Sequence, residues 1–499
     1  MENKPKRRTK GKAIATFAVL LAIFLLPFLS VAIITLGVSA VYDDTFVGEL
    51  GEKYERLNSV EGEKLVVIGG SSVAFGLESG ELEREMGMQV VNFGLYANLG
   101  TKLMLDLSRS GIGEGDIIVV APELNAQTLS LYFNSETTMQ ALDGNFKMLS
   151  SIDKENYEAL VGASWGFAAD KLGYIIGGDV PENTGAYAKK WFNSYGDNVY
   201  DRPYNEMSTV TKNITLDFKY DADDGVTSEY EEFIDYLNEY VEFCTGKGAT
   251  VYFSFPPMNK ASLTDYNTAE NIYAFYDNLC SSLYCRVISN INDYIMDEGY
   301  FFDSEFHLNN AGVKVRSARL ADDLKREMGI TDKTTIELPK PSGYKPVDFV
   351  GGSETNLYLK LEEGKNGAGQ SVWYVVGLND EGMKQVSITL PNNVDGIPIY
   401  GIRAGALRGS ELRTLVICDN VAVIESSAFA GAESLSAVYV AAASPDSIAV
   451  PNSFSGDLAT EGANPALKIY VPKGSLFDYV AHYFWGDYSA WLEEYEPKK

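Results

Sequence analysis

At 499 residues the chain exceeds one ordinary hydrophobic core, and domains of roughly 100–200 residues predict two or three folded units beside any membrane segment. Hydrophobic residues at 45% and aromatics at 12%, with 31 Tyr, give a globular composition and set disorder aside for most of the length. A formal net charge of -28 sets nucleic acid aside as a partner, because that affinity comes from Lys and Arg displacing counterions.

Residues 1–12, MENKPKRRTKGK, form a basic flank, and residues 13–42 follow without a single charge. About 20 apolar residues cross the hydrocarbon, whereas a secretory core needs only about 7–15, so an uncleaved transmembrane anchor is expected. Val38-Ser39-Ala40 keeps a cleavable signal peptide as the alternative. Under the positive-inside rule the flank stays cytoplasmic, which predicts a single-pass protein of the cell membrane with everything after Asp43 extracytoplasmic.

A polar stretch, Asp43 to Lys64, leads into short apolar runs alternating with helical periodicity, the pattern of an α/β domain over 43–335 with a parallel sheet. Strands are predicted at Leu65–Ile68, Gln89–Phe93, Asp116–Ala121, Thr250–Phe255 and Arg286–Ile288. Helices are predicted at Gly80–Met86, Leu99–Ser110, Ser228–Thr245, Thr268–Leu283 and Asn310–Met328. An insertion over about 125–217, rich in Tyr, Trp and Gly, is too long for a simple connection and is expected to fold over the C-terminal edge of the sheet. Whether it shapes a cleft or only adds packing is left open. In FSFPPMN (253–259), Pro256 and Pro257 predict a rigid turn, with a polar contact from Asn259 as the alternative.

Residues 336–353, rich in Pro, Gly and Ser, break the periodicity and predict a linker to a domain at 354–499. There Ile402, Ala406, Leu407 and Gly409 recur 22 residues on as Ile424, Ala428, Phe429 and Gly431. A period of that size marks a solenoid. These residues resemble the bacterial surface-protein (BspA-like) class of leucine-rich repeat, which implies a small β-rich repeat domain with a protein or glycan as partner. Ser410 and Ala432 stand where that class commonly has Cys.

The four cysteines, Cys244, Cys280, Cys285 and Cys418, lack C-x-x-C spacing and have only two His to help them, so no metal site is expected. Buried thiols are the plain expectation, with a Cys280–Cys285 bridge as the alternative.

The segment VVIGGSSVAFG places Ser71 and Ser72 after a buried strand and before a helix, where a nucleophile stands at a sheet edge beside backbone N–H groups. Far along the chain, FFDSEFHLNNAG sets Asp303, Glu305 and His307 on a loop before the last helix of the domain. A neutral imidazole takes a serine proton, and a carboxylate on its other nitrogen fixes the tautomer. Of the two histidines, His482 sits among aromatics near the C-terminus, which leaves His307 as the base. Asn92 and Gly94 close a second strand, where an N–H aims at a developing oxyanion.

Together these elements resemble the SGNH/GDSL hydrolases, which implies a three-layer parallel-sheet domain and a serine esterase or O-acyltransferase needing no cofactor. The resemblance makes Ser72 the nucleophile, Ser71 the replacement for the family's Asp, and His307 the base. Ser72 and Gly94 become backbone oxyanion donors, and Asn125 the third-block donor in APELNAQ, with Glu123 competing for that place. The last block reads D-x-x-x-H, so Ser304 stands at the family spacing, and Asp303 is preferred to Glu305 as the carboxylate on His307. The family's cell-envelope branch, anchored by one N-terminal helix, implies a membrane setting and a carbohydrate or envelope-polymer ester as substrate. Two rivals remain: a catalytically inactive adhesion or carbohydrate-binding protein that works through its repeats, and a lipase-like hydrolase.

Overall fold

The computed structural model describes residues 8–178, 180–207, 210–217, 228–342, 358–425, 427–448, 467–482 and 485–495. Most of the basic flank (1–7) and of the expected linker (343–353) lie outside them. The chain divides into two compact units, the first comprising Met1–Asn205 and Lys212–Ser342, the second Glu206–Thr211 and Gly343–Lys499.

Helix α1 (Arg8–Gly37) opens the first unit. Within it, Lys12–Gly37 has a mean hydropathy of 2.9 in its most apolar window, which leaves this helix long and apolar enough to span a membrane. The segment expected to be simply polar, 43–64, contains a second helix, α2 (Glu49–Ser59). Leu50, Tyr54 and Leu57, spaced by four and three, put one apolar stripe into the core among the Glu, Lys and Arg of the outer face.

Five strands then build a wholly parallel sheet in the order β2-β1-β3-β4-β6. They are β1 (Lys64–Gly69), β2 (Gln89–Gly94), β3 (Ile117–Val120), β4 (Thr250–Phe253) and β6 (Arg286–Val287). Side chains alternate across the pleat, and the two sets bury on opposite faces. Val66, Ile68, Val91, Phe93, Ile118 and Val120 pack with α2, α5 (Thr101–Ser108), α8 (Ser228–Gly246) and α9 (Ala269–Ser282). Leu65, Val67, Val90 and Val119 pack instead with Leu82 of α4 (Ser79–Met86) and with Leu320 and Leu324 of α11 (Asn310–Glu327). Both faces being covered explains why the strands read as unbroken apolar runs.

Between β1 and α4 lies one helical turn, α3 (Ser71–Ala74). After β4, a two-residue strand β5 (Met258–Asn259) pairs with β7 (Ile295–Met296), which follows the short helix α10 (Ile291–Tyr294). Asn259 is buried, and its Oδ1 caps Ala261 N–H at 3.0 Å. Residues 254–257, where the sequence predicts a rigid turn, instead run between β4 and β5 without a turn. The insertion contains two helices, α6 (Ser135–Ala141) and α7 (Tyr157–Gly177), neither of which its composition suggested. The four cysteines are free thiols.

Because β2 and β3 flank β1, the loops leaving β1 and β3 diverge at the C-terminal edge of the sheet, the switch point where open α/β sheets form a crevice. Gly70–Ser72, Gly94 and Glu123–Asn125 all leave the sheet at that edge.

The second unit has its own core and stacks strands in parallel. The hairpin β8 (Leu359–Lys365) and β9 (Ser371–Leu378) starts it, and β9 continues in parallel through β12 (Ile397–Ile402) to β14 (Val423–Ile424), with β11 (Asn393–Val394) antiparallel to β12. A second sheet runs β10 (Ser387–Thr389), β13 (Thr414–Ile417), β15 (Ala437–Val440), β16 (Lys468–Pro472), β17 (Leu492–Tyr495), parallel throughout. The 22-residue repeat appears as coil-on-coil register. Ile402 pairs with Ile424, Gly409 N–H donates to Gly431 O at 2.8 Å, and Arg403 bonds Glu425.

Candidate active site

A tight turn places the two serines. Gly69 ends β1 and Gly70 follows it, where an added Cβ would stand 2.3 Å from a Glu123 carboxylate oxygen and push that carboxylate aside. The α3 turn follows, capped where Phe75 N–H donates to Ser71 O at 2.9 Å. Ser72 is fully buried, and its Oγ has no hydrogen-bond partner among the described residues. Ser71 is slightly exposed, and its Oγ reaches Glu123 Oε1 at 3.5 Å.

Two ionic side chains grip the turn. Glu123, from the loop after β3, accepts the Ser72 N–H at 2.7 Å, while its other carboxylate oxygen is buried without a partner. From α11, the buried Arg316 donates to the Ser72 carbonyl. Burial lowers the Arg316 guanidinium to about 10, opposed by the charges of Tyr294 and Glu123.

The imidazole arrives on the loop before α11. Asn309 caps that helix, accepting N–H groups of Ala311 and Gly312 at 3.1 and 3.0 Å and donating to Gly299 O and Phe301 O, which pins the preceding loop. Ser304, the residue at the D-x-x-H spacing, accepts the N–H groups of Phe306 and His307 and so forms the turn rather than touching the ring. Asp303 Oδ1 lies 2.8 Å from His307 Nδ1. Glu305 instead accepts from Asn213. Burial alone would raise the Asp303 carboxyl, but the bond and charge of His307, with a further bond from Tyr187, hold it below the usual range.

His307 lies parallel to Phe75, with ring centroids 4.5 Å apart and planes 13° from each other. Phe75 is three residues after Ser72 and four after Ser71, so on a helical turn both serines are its neighbours. The structure thus brings the imidazole against the residue that closes the serine turn. Neither hydroxyl is hydrogen-bonded to His307.

The predicted oxyanion donors are engaged elsewhere. Gly94 N–H donates to Asn92 Oδ1 at 3.1 Å, and Ser72 N–H is held by Glu123. Asn92 spends its carboxamide N on Val73 O and Asp197. Asn125 uses Oδ1 to accept the N–H groups of Gln127 and Thr128, both at 3.0 Å, a local turn that competes with any contact to a ligand. Gly94 has a second duty, since a Cβ there would lie 2.4 Å from Val73 Cβ and 2.8 Å from Gly70 O.

The insertion contributes two further side chains that belong to no sequence motif. Tyr187 donates to Asp303 Oδ2 at 2.9 Å and lies 3.3 Å from His307 Nδ1. Burial first, then the Asp303 charge, raises its phenol well above the ordinary range. Arg202 sits over the Phe75 ring at 4.9 Å and bonds Phe75 O. A cavity of about 360 Å³ reaches the far side of Tyr187, lined also by Tyr42, Phe46, Tyr96 and Asn98. A larger cleft, about 900 Å³, opens at α2 beside Glu52, Arg56 and Lys189 and includes none of the predicted site residues. Among the described residues no group of three or more His, Cys, Asp or Glu is placed to hold a metal ion.

Fold and site together define an α/β protein with a parallel sheet, an N-terminal apolar helix, and a His–Asp pair beside a two-serine turn. No family model matches the chain, and no curated protein matches it either.

Proposed function

We propose that the first unit is a serine esterase or O-acyltransferase of the SGNH/GDSL type, anchored by α1, facing the extracytoplasmic side and acting on acyl esters of a cell-envelope carbohydrate or polymer. The observation that carries this reading is the His307 ring, held by Asp303 at 2.8 Å and stacked on Phe75 at 4.5 Å, next to the serine turn. Ser72 attacks the ester carbonyl and passes its proton to His307, which returns it to the departing alcohol; water or a sugar hydroxyl then takes the acyl group from Ser72. The buried, unpartnered Ser72 Oγ fits this role, because such a hydroxyl is costly to keep without a use. For the oxyanion to form, the Glu123 carboxylate must leave the Ser72 N–H, since it occupies the place of the developing negative charge. In the second unit, the 22-residue register supports a leucine-rich-repeat module of the BspA-like class that binds protein or glycan.

The test is fluorophosphonate labelling and p-nitrophenyl acetate hydrolysis by the full chain in detergent. Labelling of the peptide that contains Ser72 is expected, lost in Ser72→Ala and His307→Ala and kept in Ser71→Ala. EDTA leaves the activity unchanged, because an imidazole and not a metal activates the hydroxyl in this mechanism. Absence of label in the unmodified chain rejects the proposal. One observation favours the rival, a non-catalytic glycan-binding protein: both backbone donors, Ser72 N–H and Gly94 N–H, are already capped by side chains of the protein itself. Envelope-polymer binding that survives Ser72→Ala, in a chain that never labels, supports that rival.

A further inference from the structure

The 21-residue helix α7 carries an apolar face that the rest of the unit leaves largely exposed. Val161, Trp165, Leu172 and Ile176 share one side of it and are 64%, 42%, 40% and 77% exposed. Between two exposed acids, Glu158 and Asp170, the helix carries no charge, and Lys171, its one basic side chain, is turned inward onto Asp143 at 2.6 Å. Along the same exposed side lie Gly162, Gly166, Gly173 and Gly177, where an added Cβ would meet nothing within 4 Å. Packing within the chain therefore does not explain these glycines. Glycine is among the poorest helix formers in water, whereas in lipid an unsatisfied backbone is so costly that the helix persists regardless.

The position of α7 says what covers that face. It packs across the last third of α1, with Trp165 edge-on to Phe28 at 5.3 Å and Lys171 Nζ 3.4 Å from Thr35 O. Phe28 lies nine residues inward of Gly37, about 14 Å along the helix axis, well within the apolar stretch. Trp165 and Phe28, both partly exposed, thus join the exposed apolar surface of α7 to that of α1. Between the two helices lies an apolar cleft of about 340 Å³, lined by Val31, Leu36, Phe146, Leu149 and Val161 among others.

We propose that α7 is a second membrane element, lying in the leaflet nearer the folded unit with Val161, Trp165, Leu172 and Ile176 among the acyl chains and a lipid chain in the cleft beside α1. An interfacial helix buries such a face about 5–10 Å into the headgroup and acyl boundary, and Trp is at home at that depth. This assignment stands independently of the acyl-transfer mechanism.

Brominated-lipid quenching tests it on the full chain in vesicles. In a Cys280→Ser background, Val161→Cys and Ile176→Cys each carry an environment-sensitive fluorophore. Leu26→Cys in α1 is the positive control, and Tyr273→Cys, at an exposed site on α9, the negative one. Bromine on the acyl chains is expected to extinguish the two α7 probes as it does Leu26, leaving Tyr273 bright. Quenching at α7 no greater than at Tyr273, with Leu26 quenched, overturns the proposal. So does a probe already shielded in detergent yet untouched by bromine, which would assign the face to a second copy or another protein. An unquenched Leu26 overturns both the anchor and the proposal, whatever the enzyme assay reports.

Discussion

Gly94 shows how a residue chosen for one physical reason serves another. An oxyanion role needs only its N–H, which alanine would keep; the structure adds a steric demand, because a Cβ would press 2.4 Å from Val73 Cβ and 2.8 Å from Gly70 O. Gly94→Ala is therefore expected to destabilise the first unit by about 1–3 kcal/mol, the usual range for overpacking a tight site. Urea unfolding followed through the first unit measures it, and an unchanged midpoint would show that the β2 end yields freely. The Asp303–His307 pair invites a kinetic counterpart. If Asp303 fixes the imidazole, Asp303→Asn lowers kcat by on the order of 10³–10⁴-fold with little change in fold. Tyr187→Phe removes one of two partners of the same carboxylate, and its loss in kcat is expected to be far smaller. Equal losses in the two variants would assign the central role to the phenol.

At the scale of elements, α4 and α11 are tied by a carboxylate whose titration gives a signed prediction. Burial works to raise Glu85, but bonds from Lys325 and Thr335 outweigh it and bring the group from 4.5 down to about 2. A folded pKa below the unfolded one means that the bond's contribution is complete above the unfolded value and fades as pH falls from 4.5 toward about 2. The melting-temperature gap between the natural chain and Glu85→Gln, on the order of 5 °C at neutral pH, is expected to close across that window. A gap that persists unchanged at the bottom of it would mean that the carboxylate is not the source.

The sheet strands and their flanking helices were legible because burial on both faces leaves runs such as Leu65–Ile68 apolar throughout, and because 3.6-residue periodicity survives in α8, α9 and α11. Helix α2 carried the same kind of signal in Leu50, Tyr54 and Leu57, obscured by the density of charge between them. Helix α7 was not legible, since its glycines argue against a helix in water and its exposed apolar face does not alternate with charge. In the site, Asp303 and His307 were placed by local chemistry four residues apart. Tyr187 and Arg316 come from an insertion and a helix face that carry no motif, so only the fold brings them in. Glu123 lay in between: it was visible as a competitor of Asn125, but its grip on Ser72 N–H depends on how the β3 loop returns over the turn.

For the whole molecule, the decisive fact is that its two units own separate hydrophobic cores. Leu103, Phe233 and Phe253 belong to the first, and Leu412, Leu415 and Ile417 to the second, all at or near zero exposure. A unit with its own core melts as its own cooperative block unless an extensive apolar interface couples it to another. Truncating a fully buried leucine typically costs about 2–5 kcal/mol, because the lost transfer energy is joined by a cavity. Leu415→Ala is thus expected to lower one calorimetric transition of the full chain and leave the other in place, and Leu103→Ala to do the converse. Loss of the Asp303–His307 pair and of the serine turn on heating should follow the Leu103 transition alone, since those residues belong to the first unit. If both transitions moved together in either variant, the units would be thermodynamically one body, and the repeats would have to be counted as part of the first unit's stability.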